Sequence, residues 1–144
     1  MLSGPKTASR TGMGVKMFIL IVDDDAMVRR GIARFLRRIP GVTIFEAGNA
    51  HDAITHFSTH QRIKLVLSDV QMPPSNRGGL MLHNHVKDEL SRRGGTFVSM
   101  TGTQDFEDAR TLAANGVDVL DKPLEPERIY ELMKKVFALL HPPH

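Results

Sequence analysis

The amino-acid sequence predicts an α/β fold of the doubly wound type, in which helices cover both faces of a five-stranded parallel sheet. Short apolar runs rich in β-branched residues alternate along the chain with stretches whose apolar residues recur at helical spacing. The chain therefore consists of five strand–helix units, and strands separated by helices of this length pair in parallel. A chain of 144 residues is long enough for one such domain with a real core.

Five short apolar runs are predicted to form the strands. The clearest are residues 17–22, with the sequence MFILIV, and residues 65–67, with the sequence LVL. Residues 97–100 and 117–120 are two more, and residues 43–45 are a weaker fifth. Their length and β-branched content favour strands over helices.

Five stretches with apolar residues three or four positions apart are predicted to form the helices. Pro40-Gly41 would end the first helix, Asn49 would cap the start of the second, and Asn115-Gly116 would end the fourth. The apolar stripes are Val28, Ile32, Phe35, Leu36 and Ile39; Ala50, Ala53, Ile54 and Phe57; Leu82, Val86 and Leu90; Phe106, Ala109, Leu112 and Ala113; and Ile129, Leu132, Met133, Val136 and Leu140.

The composition excludes several classes of protein. Because the chain has no cysteine, disulfide frameworks, cysteine-based zinc sites and thiol catalysis are excluded. No apolar run approaches the ~20 residues that span a bilayer. The run from Phe18 to Val22 is too short for the core of a signal peptide. We therefore expect a cytoplasmic protein with no membrane partner.

The net charge of +3 comes from the first residues of the chain. Residues 1–16 contain Lys6, Arg10 and Lys16 and no acidic residue. Without these three, 16 of the 19 basic residues remain, which equals the 16 acidic residues. The sequence therefore predicts a disordered leader over 1–16, a domain over 17–140, a tail over 141–144, and no nucleic-acid binding through this domain.

Polar residues follow the predicted strands at the point where each strand ends. Asp23 and Asp24 follow the first strand, Asp69 the third, Thr101 the fourth and Lys122 the fifth. The carboxyl ends of parallel strands meet at one edge of the sheet, where such folds bind their ligands. We therefore expect these side chains to form one site.

The chemistry of these residues points to a phosphoryl group. Carboxylates that crowd at one edge repel one another unless a cation binds, and oxygen ligands of this kind suit Mg²⁺. A lysine can pair with phosphate oxygens, and a carboxylate beside a metal can attack phosphorus as a nucleophile. The residues therefore predict a magnesium-dependent aspartyl-phosphate.

Four motifs at the strand ends resemble those of bacterial two-component response-regulator receiver domains, such as the chemotaxis receivers. The resemblance covers residues 17–140 and implies a flavodoxin-like sheet in the order 2-1-3-4-5 with five helices. The motifs are Ile21-Val22-Asp23-Asp24-Asp25, Ser68-Asp69-Val70-Gln71-Met72-Pro73, Met100-Thr101-Gly102 and Lys122-Pro123.

The resemblance implies a role for each acidic residue. Asp69 matches the phosphoacceptor, which is also a metal ligand. Asp24 matches the direct Mg²⁺ ligand, and Asp23 matches its water-mediated partner. The backbone carbonyl of Gln71 would be the remaining ligand from the protein.

The resemblance also implies how a phosphoryl group would be held and where it would come from. Thr101 would turn towards the phosphoryl group with help from the Gly102 amide, and Lys122 would pair with another phosphoryl oxygen. The peptide bond between Lys122 and Pro123 would be cis. The donor would be a phosphohistidine on a sensor histidine kinase or a histidine phosphotransfer protein, and the downstream partner is unknown.

Three features depart from the family pattern. The family often has an aromatic residue three positions before the lysine, where this chain has Val119. The segment before Lys122 is about one residue short, and the loop 73–79 is about two residues longer than usual. This loop borders Asp69, so it could tune partner choice or the lifetime of the phosphoryl group.

The resemblance implies a signalling switch that is not a conventional enzyme and that could dimerise on phosphorylation. Two other functions are alternatives to it. A small phosphatase of the haloacid-dehalogenase type would use Asp23 as its nucleophile, but Met27 stands where that motif has Thr or Val. A docking module on the same fold that is phosphorylated rarely or never has Val119 as its only support. Five arginines on the first helix are either a solvated face or a docking face for an acidic partner. They are Arg29, Arg30, Arg34, Arg37 and Arg38.

Overall fold

A computed structural model of the chain describes residues 16–103 and 106–140. The predicted tail, and the predicted leader except for Lys16, lie outside the described residues. Within the described ranges, no helix is both long enough and apolar enough to cross a membrane.

Five parallel strands form one sheet in the order β2-β1-β3-β4-β5, as predicted. The strands are β1 (Met17–Val22), β2 (Val42–Ala47), β3 (Ile63–Asp69), β4 (Thr96–Thr101) and β5 (Asp118–Asp121). The helices are α1 (Ala26–Leu36), α2 (Ala50–Thr59), α3 (Gly78–Arg92), α4 (Glu107–Ala114) and α5 (Pro126–Leu140).

Successive side chains of a strand point to opposite faces of the sheet, and helices cover both faces of this one. Both faces therefore carry apolar side chains. On one face, Ile21 and Leu67 belong to a cluster with residues of α1 and α5, such as Met133. On the other face, Leu20 and Val66 pack with residues of α2 and α3. The doubly wound arrangement predicted from the sequence is therefore confirmed.

A third, smaller cluster joins the end of β3 to α4. Val70, Ala109 and Leu112 are buried in it, and Val119 of β5 packs against it. This cluster places α4 directly beside the loop that follows Asp69. The position of α4 and the position of that loop therefore depend on each other.

Several boundaries differ from the sequence prediction. The first helix ends at Leu36, so Ile39 lies beyond it, although Ile39 still packs against the core. The chain turns at Gly41, whose φ of 86° favours glycine. The third strand begins at Ile63 rather than 65, because Ile63 pairs with Phe18 of β1, and the register then shifts past the exposed Lys64 to pair Leu65 with Ile19. Phe106 caps α4 rather than lying within it.

Candidate functional site

Three consecutive aspartates follow β1, and the structure gives each a different environment. Asp25 caps α1, since its carboxylate accepts hydrogen bonds from the amides of Met27 at 3.0 Å and Val28 at 3.2 Å. Asp23 has no exposed surface, and its Oδ1 accepts a bond from the Asp25 amide at 2.9 Å. Asp24 is exposed to solvent. The cap therefore orients Asp23 and leaves Asp24 accessible.

Lys122 lies between two buried carboxylates from different strands. Its Nζ is 2.8 Å from Oδ2 of Asp23 and 3.4 Å from Oδ2 of Asp69. Oδ2 of Asp23 is buried and forms this ion pair, but it accepts no hydrogen bond from the described residues. A buried carboxylate oxygen without a hydrogen bond can still bind a further donor or a cation.

Asp23, Asp24 and Asp69 each offer an oxygen, and these oxygens lie within 4.8 Å of one another. An all-oxygen set with one exposed member and one incompletely bonded member fits a hard divalent cation such as Mg²⁺. Gln71 lies two residues after Asp69 and is half-buried. Its carbonyl as a fourth ligand stays a prediction.

The carboxylates and Lys122 shift one another's titration. Burial and the nearby charge of Asp23 raise the pKa of Asp69 from 3.8 to about 6, although Lys122 opposes the shift. Burial lowers the pKa of Lys122, but Asp23 and Asp69 outweigh that effect and leave it raised. One ammonium group therefore faces three carboxylates, and the site has an excess of negative charge that a cation would relieve.

Thr101 ends β4 at the same edge and is fully buried. Its hydroxyl donates a hydrogen bond to the carbonyl of Thr103 at 3.0 Å and accepts one from the Thr103 amide at 3.1 Å. The backbone of Lys122 is tied to this strand end, because its amide donates to the Thr101 carbonyl at 2.9 Å. The hydroxyl is thus engaged in a local turn.

The loop that follows β3 folds back onto the main chain of Asp69. The Gly79 amide donates to the Val70 carbonyl at 3.1 Å, and the Gly78 amide donates to the Met72 carbonyl at 2.8 Å. A Cβ at Gly79 would collide with the Asp69 carbonyl, and a Cβ at Gly78 would collide with the Pro73 carbonyl. This requirement for glycine was not predicted from the sequence, although two adjacent glycines at a helix start are a signal of it.

Two peptide bonds at this edge of the sheet are cis. The bond between Lys122 and Pro123 is cis, as predicted from the family resemblance. The bond between Pro73 and Pro74 in the longer loop is also cis, which the sequence analysis did not predict.

An ion pair that was not predicted from the sequence joins Arg77 of this loop to Asp108 of α4. Two hydrogen bonds of 3.0 and 2.9 Å join the guanidinium to the carboxylate, which is almost fully buried. The two residues are 31 positions apart. No local pattern links residues so distant, and only the fold brings them together.

A five-stranded parallel sheet in the order 2-1-3-4-5, with acidic residues and a lysine at its carboxyl edge, defines a flavodoxin-like domain whose polar residues lie where such sheets bind ligands. Residues 19–134 match the family model described as the response regulator receiver domain, and the chain belongs to that family. It is therefore a receiver domain of two-component signalling, and receiver domains are signalling modules.

Known relatives agree with this assignment. The transcriptional regulatory protein MalR of Bacillus subtilis is 29% identical over 126 residues, which cover 83% of this chain and 52% of MalR. The chain thus spans about half the length of that curated relative. A CheY-like receiver domain protein from Methanospirillum hungatei has a TM-score of 0.69 and 25% identity, covering 83% of this chain and 92% of that one.

A further solved structure has the same fold. It is the Saccharomyces cerevisiae co-crystal of the histidine phosphotransfer protein Ypd1 with the receiver domain of its downstream response regulator Ssk1. The TM-score is 0.67 and the identity 22%, and the match covers 87% of this chain and 89% of that chain.

Proposed function

We propose that Asp69 accepts a phosphoryl group from a phosphohistidine and that the chain acts as a phosphorylation switch. The observation that carries the proposal is that Lys122 contacts both Asp23 and Asp69, and that these two carboxylates form a cluster with Asp24. A bare structural ion pair would not need a third, exposed acid. The arrangement suits a carboxylate that gains a doubly charged group and needs cations around it.

In the proposed reaction, an oxygen of the Asp69 carboxylate attacks the phosphorus of the donor. The new P–O bond forms as the P–N bond to the imidazole breaks, and the imidazole leaves with that electron pair. Asp23, Asp24, Asp69 and the Gln71 carbonyl would hold Mg²⁺, which neutralises charge on the transferred group. Lys122 is positioned by Asp23 and would pair with a phosphoryl oxygen.

Thr101 would report the modification to the rest of the domain. Its hydroxyl is bonded to Thr103, so it must leave those bonds in order to reach a phosphoryl oxygen on Asp69. That movement would shift the segment between β4 and α4. The added charge at Asp69 thereby becomes a change of surface that a downstream partner can recognise.

The donor would dock on the face of α1 that lies beside Lys122. A cleft of about 490 Å³ lies there between α1 and the segment after β5, with Phe35 and Pro123 among its lining residues. Met27 at its rim is 85% exposed. Arg29 and Arg37 bond Glu46, whereas Arg30, Arg34 and Arg38 are exposed to solvent.

An apolar cleft that contains Lys122, beside a helix with three exposed arginines, fits an acidic helix that presents a phosphohistidine. In the Ssk1 structure, a receiver domain is crystallised with a histidine phosphotransfer protein. A donor of this kind acts in the cytoplasm, and the proposal places this chain there.

Phosphorylation of Asp69 can be measured directly by mass spectrometry. Incubation with acetyl phosphate and Mg²⁺ is expected to add one phosphoryl group to the intact protein, and Asp69→Ala should abolish the addition. Persistence of the label in Asp69→Ala, or labelling of Asp23, would contradict the proposal and favour the phosphatase. The lack of exposed surface on Asp23 already weighs against that alternative.

A further inference from the structure

Arg77 and Asp108 form a bidentate ion pair that joins the loop after β3 to the first turn of α4, beside the candidate phosphorylation site. The Nε of Arg77 is 3.0 Å from Oδ2 of Asp108, and its Nη2 is 2.9 Å from Oδ1. Asp108 is 2% exposed, whereas the side chain of Arg77 is 57% exposed. Paired contacts of this geometry are stronger and more directional than a single contact.

Each end of the pair is connected to a residue of the site. Arg77 immediately precedes Gly78-Gly79, and the backbone of Gly79 lies against the Asp69 carbonyl. Asp108 lies in the first turn of α4, and the Phe106 amide before that turn donates to the Thr103 carbonyl, which also accepts from the Thr101 hydroxyl. The ion pair therefore connects the segment packed against Asp69 to the segment bonded to Thr101.

The resting bonds of Thr101 belong to the same closed arrangement. Its hydroxyl donates to the Thr103 carbonyl, and the Phe106 amide at the start of α4 donates to the same carbonyl at 3.2 Å. A turn of the Thr101 hydroxyl towards Asp69 breaks its share of this arrangement and frees Thr103 and the start of α4 to shift. Arg77 fixes the first turn of α4 through Asp108, so the ion pair resists that shift.

We propose that Arg77 and Asp108 are positioning residues that latch α4 and Thr101 in the resting arrangement and thereby oppose the phosphorylated state. This inference rests on the proposed function of Asp69. A contact that is stronger in the resting state than in the phosphorylated state lowers affinity for a phosphoryl group by the same factor. The latch would thus set how readily the domain switches.

The test compares the wild type with the double variant Arg77→Gln, Asp108→Asn. The double change removes both charges while keeping similar side chains, because Arg77→Gln alone would leave a buried, unpaired carboxylate. Arg77→Lys keeps the charge and loses the paired geometry. Arg92→Gln is the matched control, since Arg92 pairs with Glu89 at the other end of α3.

The probe is beryllium fluoride with Mg²⁺, which binds aspartate reversibly as a mimic of the phosphoryl group. Isothermal titration should show that the dissociation constant falls ~5-fold or more in the double variant, with a smaller fall in Arg77→Lys and none in Arg92→Gln. Thermal melts and acetyl phosphate labelling of Asp69 are measured on every variant.

If the double variant has a lower melting temperature but an unchanged dissociation constant, the ion pair only stabilises the fold, and the proposed latch is overturned. A raised dissociation constant would overturn it as well, because the pair would then favour the phosphorylated state. If the double variant does not fold, Arg77→Lys decides by the same criteria. If wild-type Asp69 is not labelled, the proposed function fails and the latch fails with it; if it is labelled, only the latch is at stake.

Discussion

At the scale of single residues, Asp69 is placed where its charge is unfavourable without a cation. It is nearly buried, and the charge of Asp23 adds to the effect of burial, so its pKa is raised from 3.8 to about 6. The folded protein therefore holds a proton on Asp69 more tightly than the unfolded chain does. Its contribution to stability is present at low pH and is lost as pH rises through about 6.

Asp69→Asn is expected to stabilise the metal-free protein at pH 8 by a few degrees in melting temperature, because the neutral amide removes the repulsion. The advantage over the wild type should shrink as pH falls below about 6, where the wild-type carboxyl is protonated. Thermal melts from pH 5 to pH 8 with EDTA measure both. A gap that stays constant across this range would contradict the raised pKa.

At the scale of elements, the start of α3 is shaped by contact with the end of β3. Helix interiors usually disfavour glycine, yet α3 begins with Gly78-Gly79 because the backbone of Asp69 and Val70 leaves no room for a Cβ. The first turn of α3 thus forms part of the wall behind the candidate phosphoacceptor. Local propensity gives way here to the tertiary contact.

Gly79→Ala is expected to destabilise the protein by about 2 kcal/mol or more, since the new Cβ displaces the backbone of Asp69 and Val70. Gly31→Ala is the matched control, because Gly31 is in α1 and an added Cβ there meets nothing within 4 Å. The control should be stabilised by up to ~1 kcal/mol, as alanine favours helices. Urea unfolding measures both, and equal effects at the two sites would refute the close packing.

At the scale of the whole molecule, the sheet gathers charges that no single element would place together. Asp23 and Asp24 come from the end of β1, Asp69 from the end of β3 and Lys122 from the residue after β5. The unfavourable repulsion among these carboxylates is offset by the apolar clusters buried on both faces of the sheet. Stability of the entire domain should therefore respond to a cation at this edge.

Millimolar Mg²⁺ is expected to raise the melting temperature of the wild type, because a ligand that binds only the folded state stabilises it. Asp24→Ala should lose most of this shift, since Asp24 is the exposed member of the cluster. Asp88→Ala, which removes an exposed acid from the last turns of α3, away from this edge of the sheet, should keep it. Equal shifts in Asp24→Ala and the wild type would argue against the metal site.

Much of the fold and part of the candidate site could be predicted from the sequence. Apolar periodicity is local, so alternating strands and helices are readable along the chain, and the carboxyl ends of parallel strands share an edge by geometry. These two facts suffice to group Asp23, Asp69 and Lys122. They do not fix helix ends to the residue, as Ile39 and Phe106 show, because packing decides where a stripe stops being helical.

The sequence by itself determined the order of the elements, the doubly wound sheet and which polar residues follow which strands. Only the tertiary structure decided that Lys122 bridges Asp23 and Asp69 and that Arg77 reaches Asp108. The reason is physical: periodicity and capping act over a few neighbouring residues, whereas ion pairs, burial and the resulting pKa depend on side chains that folding brings together from distant positions.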